Sequence, residues 1–162
     1  MIKKAVLAGG CFWGLEDLIR RQSGVLSTRV GYAGGQVERP TYDHHSGHAE
    51  AVEISYDDEK IDYKHLLDFF FRVHNPTTLN QQGNDIGTSY RSVIFFADEA
   101  ERQMASDFIE LVNRSGRWPD PVVTSLELLT KFWPAEDYHQ KYLQKNPGGY
   151  TCHFVRSGSY LS

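Results

Sequence analysis

The chain contains 162 residues, of which 40% are hydrophobic and 23% charged, and its formal net charge is −4 at pH 7. This length and composition are typical of one globular domain that can bury a core without help from metals or crosslinks. Because no run of lysine or arginine accompanies the weak negative charge, nucleic acid and acidic membranes are excluded as the main partners.

The N-terminal segment contains a short apolar run, residues 5–8, that follows two lysines. An export signal needs an apolar stretch of about 7 to 15 residues, so this run is too short. No later apolar run reaches the length that spans a membrane. We therefore expect a cytoplasmic protein in which the two cysteines, Cys11 and Cys152, are normally reduced.

Cys11 follows this apolar run, which predicts a buried strand, and precedes a helix marked by Leu15, Leu18 and Ile19. At a helix start, unpaired backbone N–H groups and the positive end of the helix dipole favour an anion. The position therefore predicts a reactive thiolate at Cys11. The alternative is a small, buried and unreactive side chain, because most free cysteines are of that kind.

The later elements are predicted from alternation, capping residues and Gly/Pro punctuation. Strands are predicted over residues 26–32, 49–56, 90–96 and 122–129, and helices from Asp62, Asp98 and Pro134. Two long loops, residues 33–48 and 76–89, separate them. Loops of this length in a compact domain are usually binding loops or disordered, and we expect binding loops here.

The order of these elements predicts an α+β fold with a split βαβ, ferredoxin-like arrangement, in which helices cover a mixed or antiparallel sheet. We expect a single domain over residues 1–162, acting as a monomer, with an irregular C-terminal tail from about residue 146. In this arrangement Cys11 lies at the mouth between the two long loops.

Three polar side chains are predicted to converge on the helix start that carries Cys11. Tyr32 ends a predicted strand, whereas Glu50 and Tyr90 begin two others. Glu50 shares a strand face with apolar Val52, so desolvation is expected to raise its pKa toward the range of a general acid. For each tyrosine, the alternative is a packed ring whose hydroxyl stays in water.

Cys152 lies in a glycine-rich part of the tail, residues 148–152, which is flexible enough to reach Cys11. Two alternatives stay open. Cys152 is either a solvent-exposed bystander or part of a static disulfide that joins the two ends of the chain. A cytoplasmic location makes the static disulfide the less favoured of the two.

Two cofactor classes receive no support from the sequence. The cluster of His44, His45 and His48 suggests a metal site, but carboxylate or thiolate ligands at metal-site spacing are missing nearby. The glycines around Cys11 do not form the G-x-G-x-x-G fingerprint of a nicotinamide-binding turn. We therefore expect neither a metal nor an organic cofactor.

Four short motifs occur in a fixed order along the chain. They are Gly10-Cys11-Phe12-Trp13-Gly14, Gly31-Tyr32-Ala33-Gly34-Gly35, Gly47-His48-Ala49-Glu50 and Tyr90-Arg91-Ser92. In this order and at this spacing they resemble the A-type peptide-methionine (S)-sulfoxide reductases. Residues 136–140 and 149–154 are similar to the C-terminal portion of the same family, so the resemblance spans nearly the whole chain.

The resemblance implies a thiol-dependent reduction of methionine S-sulfoxide, free or in peptides and proteins. Cys11 would attack the sulfoxide sulfur and become a sulfenic acid as methionine leaves. Cys152 would then close a disulfide with Cys11, and thioredoxin would reopen it. The family pattern further implies that Glu50, Tyr32 and Tyr90 hold and protonate the sulfoxide oxygen.

The same resemblance implies that Phe12 and Trp13 receive the methyl group of the substrate and that Asp85 lies near the site. Two positions depart from the family pattern. Asn75 stands where the family commonly has Asp, and Ser89 stands where it commonly has Gln. These departures affect the second long loop and the flank of the substrate site rather than the proposed acid or nucleophile.

Two other functions remain open from the sequence. A cysteine-based peroxidase also passes through a sulfenic acid and a resolving thiol. A binding module would capture oxidised methionine in an aromatic pocket without turnover. Glu50 on an apolar strand face argues against the binding module, because capture alone needs a hydrogen-bond donor and not a proton source.

Overall fold

The structure is a computed structural model that describes residues 1–161. Its strands are β1 (Ile2–Gly9), β2 (Val25–Ala33), β3 (Ala49–Asp57), β4 (Gln81–Gln82), β5 (Asp85–Ile86), β6 (Ser92–Phe96), β7 (Ser125–Leu128) and β8 (Phe132–Pro134). Its α-helices are α1 (Phe12–Ile19), α2 (Tyr63–Val73), α3 (Glu99–Arg114) and α4 (Tyr142–Lys145). Two short 3₁₀ turns, Thr88–Tyr90 and Asp137–His139, complete the regular structure of this part of the chain.

Six strands form one mixed sheet in the order β7-β6-β1-β3-β2-β8. The four central strands, β6, β1, β3 and β2, pair antiparallel, which is the predicted split βαβ arrangement. β7 extends the sheet parallel to β6, and β8 extends it antiparallel to β2. The predicted fold class is therefore confirmed, with one additional strand on each side.

Helices α1, α2 and α3 pack on the same face of this sheet. The strand residues buried beneath them are Leu7, Val30, Val52, Ile54 and Ile94. The opposite face buries a second, smaller cluster that is rich in alanine. Since side chains alternate along β3, Glu50 lies on the helix-covered face together with Val52.

The predicted helix starts at Asp62 and Asp98 are confirmed by their side-chain caps. The Asp62 carboxylate accepts a hydrogen bond from the His65 backbone N–H, and the Asp98 carboxylate accepts one from the Glu101 N–H. Each cap satisfies a backbone donor that the first helical turn leaves unpaired. No helix within residues 1–161 is long and apolar enough to cross a membrane.

Three predicted boundaries are wrong. The strand predicted from Tyr90 begins at Ser92, because residues 88–90 turn in a 3₁₀ helix. The strand predicted from residue 122 begins at Ser125, since the Val123 N–H binds the Pro76 carbonyl instead of a strand. Pro134 ends edge strand β8 rather than opening a helix, and an edge position tolerates a residue without an N–H.

Candidate active site

Cys11 lies at the junction between strand β1 and helix α1. Gly10 has a φ of +98°, a conformation that favours glycine, and this turn carries the chain from the strand into the helix. Cys11 is the N-cap residue of α1, and only 7% of its surface is exposed. The central strand of the sheet therefore positions the thiol at a helix start, as the sequence predicts.

Glu50 lies beside Cys11 in a nearly water-free environment. Its Oε1 atom accepts a hydrogen bond from the Phe12 N–H at 3.1 Å, and the residue is 1% exposed. Burial raises the pKa of the Glu50 carboxyl to about 8, the Asp85 charge adds to this rise, and the Phe12 N–H opposes it. Glu50 is thus mostly protonated at neutral pH, next to the residue that carries the thiol.

The resting state of Cys11 differs from the predicted thiolate. A backbone hydrogen bond from Trp13 lowers the pKa of the thiol, as expected at a helix start. Burial raises it more strongly, and the Glu50 and Asp85 charges act in the same direction. Cys11 is therefore a neutral thiol, because desolvation outweighs the effect of the helix terminus.

Tyr32 is buried, and its hydroxyl is engaged by Glu136. The hydroxyl donates a hydrogen bond to Glu136 Oε1 at 2.8 Å. The other oxygen of the same carboxylate accepts the Tyr42 backbone N–H at 3.0 Å. Glu136 thus joins strand β2 to the first long loop, and the Tyr32 hydroxyl belongs to this connection.

Two further tyrosines, Tyr42 and Tyr90, lie close enough to Cys11 and Glu50 for the charges of both residues to act on their phenols. Burial raises the pKa of both phenols, and the charges of Glu50 and Cys11 contribute to both increases. The neighbouring Tyr90 side chain partly offsets the rise in the pKa of Tyr42. The structure therefore brings together one thiol, one protonated carboxyl and two phenols.

Tyr42 is the site residue that sequence reasoning missed. It lies within the first long loop, where no periodic pattern indicates which side chains face inward. Its position depends on Glu136, which is 94 residues away in sequence and binds its N–H. A local pattern cannot reveal such a contact, whereas a tyrosine at a strand end, such as Tyr32, is easily noticed.

Phe12 and Trp13 flank Cys11 in different ways. Phe12 is completely buried, and its ring packs against Tyr32 and His139 with centroid distances of 5.8 and 5.2 Å. Trp13 is partly exposed, stacks on Tyr142 at 3.8 Å and donates its indole N–H to His139 Nδ1 at 2.9 Å. Of the two rings, only Trp13 presents an accessible surface beside the thiol.

Asp85 connects the second long loop with the C-terminal tail. It lies in the short hairpin strand β5 and accepts a hydrogen bond from the Tyr150 hydroxyl at 3.1 Å. Its Oδ2 atom is 3.8 Å from Cys152 Sγ. Since the Asp85 charge also raises the pKa of Cys11 and Glu50, the carboxylate belongs to the same site.

The C-terminal tail holds Cys152 close to the site while both cysteines are free thiols. The tail packs directly on α1 at Gly14, where an added Cβ would clash with the Thr151 hydroxyl and the His153 ring. Cys152 is near enough to contribute to the raised pKa of Cys11. The tail is irregular in its described residues, but its side-chain contacts fix its course.

The two departures from the family pattern have defined contacts. Asn75 Oδ1 accepts hydrogen bonds from the Thr77 N–H and hydroxyl at 2.9 and 2.6 Å, and an Asp carboxylate could accept both. Ser89 Oγ is 2.9 Å from His45 Nε2 and so joins the two long loops. The first departure therefore preserves the loop geometry, and the second creates a link beside Tyr90.

The chain is similar to known proteins over nearly its whole length. A sequence profile described as peptide methionine sulfoxide reductase matches residues 3–160. The chain is 62% identical over 156 residues to "Peptide methionine sulfoxide reductase MsrA" of Mycolicibacterium gilvum. The aligned region covers 96% of this chain and 92% of the relative.

Two structures of Mxr1 from Saccharomyces cerevisiae also resemble the chain. The reduced form is 37% identical, has a TM-score of 0.87, and is aligned over 96% of this chain and 93% of its own. Mxr1 in complex with Trx2 is 27% identical, has a TM-score of 0.65, and is aligned over 96% and 91%, respectively.

Proposed function

This chain belongs to the peptide methionine sulfoxide reductase family, and we propose that it reduces methionine S-sulfoxide to methionine through a sulfenic acid on Cys11. The substrate is free methionine sulfoxide or the oxidised residue in peptides and proteins. The observation that carries the proposal is the buried, protonated Glu50, which binds the Phe12 N–H next to Cys11. A sulfoxide oxygen leaves only when it is protonated, so a buried acid beside a thiol is the required pair.

The first half-reaction transfers oxygen from the substrate sulfur to Cys11. Glu50 donates its proton to the sulfoxide oxygen while Cys11 Sγ bonds to the sulfur, and the carboxylate so formed takes up the thiol proton. The hydroxyl group then passes from the methionine sulfur to Cys11 Sγ, so that the S–S bond and the methionine S–O bond break and one S–O bond forms on Cys11. Methionine leaves with its sulfur lone pair restored, and Cys11 is a sulfenic acid. Because one proton is given and one is received, Glu50 returns to its starting state.

The phenols of Tyr42 and Tyr90 donate hydrogen bonds to the sulfoxide oxygen as negative charge develops on it. The raised pKa of each phenol keeps its proton in place through the neutral range. Trp13 provides the apolar surface for the methyl group, and its indole N–H binds His139, whose ring also packs against Phe12. Tyr42 thus takes the role that the family resemblance assigned to Tyr32.

A pair of tyrosine variants tests this reassignment. We expect Tyr42→Phe to slow single-turnover methionine release roughly 10- to 100-fold, which corresponds to the loss of one hydrogen bond to a developing charge. Tyr32→Phe removes only the bond to Glu136 and should cause a smaller loss. Methionine release is measured by rapid quenching and chromatography. A larger loss in Tyr32→Phe than in Tyr42→Phe would reverse the assignment.

In the second half-reaction, Cys152 attacks the Cys11 sulfenic acid and forms a disulfide with release of water, and thioredoxin then reduces the disulfide. The position of the tail, which holds Cys152 near Cys11, supports this step. The complex of the yeast relative with Trx2 supports thioredoxin as the reductant. Such a cycle requires a reducing compartment, in keeping with the cytoplasmic location expected from the sequence.

Cys152→Ser separates the two half-reactions. We expect this variant to release one equivalent of methionine and then to stop, even with thioredoxin present, because the sulfenic acid lacks its thiol partner. Mass spectrometry should show a gain of one oxygen, whereas the unchanged protein should lose two hydrogens. Undiminished turnover of Cys152→Ser with thioredoxin would contradict the proposed role of Cys152.

A further inference from the structure

The ring of His153 is held in one orientation directly beside Cys152. His153 is 7% exposed, and its Nε2 atom is 2.6 Å from the Gly9 carbonyl oxygen. A carbonyl only accepts hydrogen bonds, so Nε2 carries the hydrogen. In the neutral ring the other nitrogen, Nδ1, is then an acceptor with a free lone pair.

This lone pair faces the sulfur of Cys152. His153 Nδ1 is 3.9 Å from Cys152 Sγ, a distance suited to a long thiol hydrogen bond. Three other polar groups lie near the sulfur. The Gln82 carbonyl oxygen and Asp85 Oδ2 are each at 3.8 Å, and the Tyr150 hydroxyl is a hydrogen-bond donor that partly offsets the raised pKa of the thiol. A carbonyl cannot keep a proton, and Asp85 Oδ2 already accepts the Tyr150 hydroxyl. Imidazole is also in general a stronger base than a carboxylate.

Disulfide formation at Cys152 needs a base because the thiolate, not the thiol, attacks sulfur. Burial raises the pKa of the Cys152 thiol, and the nearby Asp85 charge raises it further. Burial lowers the pKa of His153 below its ordinary value, so the ring is neutral and can accept a proton. Cys152 thus holds its proton, and the neutral His153 ring beside it can accept that proton.

The other charged and titratable groups around His153 are Asp85, Arg156 and His74. Asp85 and the Gly9 carbonyl favour the protonated ring, whereas Arg156 opposes it. His74 is buried and its pKa is strongly lowered, so it stays neutral and adds no repulsion. The Gly9 carbonyl, which fixes the tautomer of His153, therefore also stabilises the imidazolium. It corresponds to the third group that orients the base beside a nucleophile in many active sites.

We propose that His153 is the general base for the disulfide-forming step, an inference that rests on the proposed function and on Cys152 as its resolving thiol. His153 Nδ1 takes the proton from Cys152 Sγ while this sulfur bonds to Cys11 Sγ. The S–O bond of the sulfenic acid breaks, and its oxygen takes up a proton from solvent and leaves as water. The imidazolium then releases its proton to solvent and returns to the neutral ring, so the net reaction is sulfenic acid plus thiol to disulfide plus water.

The experiment mixes reduced protein with one equivalent of methionine sulfoxide and follows methionine release and disulfide formation in the same quenched samples. His153→Gln keeps an amide that can donate to the Gly9 carbonyl but removes the base at Nδ1. We expect its disulfide formation at neutral pH to be at least about 100-fold slower than in the unchanged protein. His65→Gln, a change at an exposed histidine on α2, is the matched control and should alter neither rate.

The pH dependence separates a base from a structural anchor. The sulfenic acid of His153→Gln is first formed at neutral pH. Its conversion to the disulfide after a jump to higher pH should speed up about tenfold per pH unit and recover at alkaline pH, where Cys152 ionises without help. In the unchanged protein the rate should reach its plateau at a pH far below the pKa of the thiol. The pH profile of the unchanged protein needs no variant, so it tests the role of His153 as a base even if His153→Gln does not fold.

Three results would overturn the proposal. The first is a rate of disulfide formation that is equal in His153→Gln and the unchanged protein. The second is a rate of disulfide formation that falls strongly in Asp85→Asn but not in His153→Gln. The third is an unchanged protein whose rate keeps rising up to the pKa of the thiol. Failure of the proposed function is distinct, because then no methionine would be released by the unchanged protein.

Discussion

Cys11→Ser is expected to release no methionine above the uncatalysed background, even in a single turnover. A serine hydroxyl is far less nucleophilic than a thiol, and it cannot store the oxygen as a sulfenic acid. The expected loss is therefore complete rather than partial. Rapid-quench chromatography after addition of one equivalent of methionine sulfoxide measures the released methionine.

Cys152→Ser is the matched control for this variant, because it makes the same chemical change at the other cysteine. It should give one full equivalent of methionine under the same conditions. Since Cys11 is buried, the thermal unfolding of both variants is compared with that of the unchanged protein. Methionine release by a folded Cys11→Ser protein would show that another group carries the chemistry.

Glu50→Gln is expected to slow the release of methionine by about 10²- to 10⁴-fold, the usual contribution of a positioned general acid. The amide has the same shape and can still accept the Phe12 N–H, but it has no acidic proton to give. Glu53→Gln is the matched control, because Glu53 lies on the other face of the same strand and pairs with Arg29. Equal rates in Glu50→Gln and the unchanged protein would rule out Glu50 as the acid.

The pH dependence of the same reaction follows from the direction of the pKa shifts. In the proposed mechanism the reactive state holds a proton on both Cys11 and Glu50. The pKa of Glu50 is about 8, below that of the buried thiol. The rate should therefore be constant in the neutral range and fall as the pH rises above about 8. In Glu50→Gln this fall should disappear. A rate that rises through this range would indicate attack by a pre-formed thiolate.

Much of this site could be predicted from the sequence because its main parts depend on local patterns. An apolar run, a glycine turn and a helical repeat place Cys11 at a helix start. Alternation along β3 puts Glu50 on the apolar face beneath α1. Alternation along β2 likewise places Tyr32 at a strand end, and Tyr32 pairs directly with Glu50 across the sheet.

The remaining features depend on contacts between distant segments and could not be predicted in this way. The Tyr42 side chain belongs to the site because Glu136 holds its loop. The thiol of Cys11 is neutral because burial outweighs the helix terminus, and the extent of burial is a property of the folded chain. The course of the tail depends on its contacts with Gly9, Gly14 and Asp85 rather than on any regular element.

The proposed chemistry requires a carboxyl that keeps its proton at neutral pH beside the nucleophile. The most direct measurement is an NMR titration of the Glu50 side-chain carboxyl carbon in the reduced, substrate-free protein. We expect a single titration step near pH 8, well above the ordinary carboxyl value of 4.5. A Glu50 carboxyl that is already ionised at pH 6 would contradict the proposed chemistry.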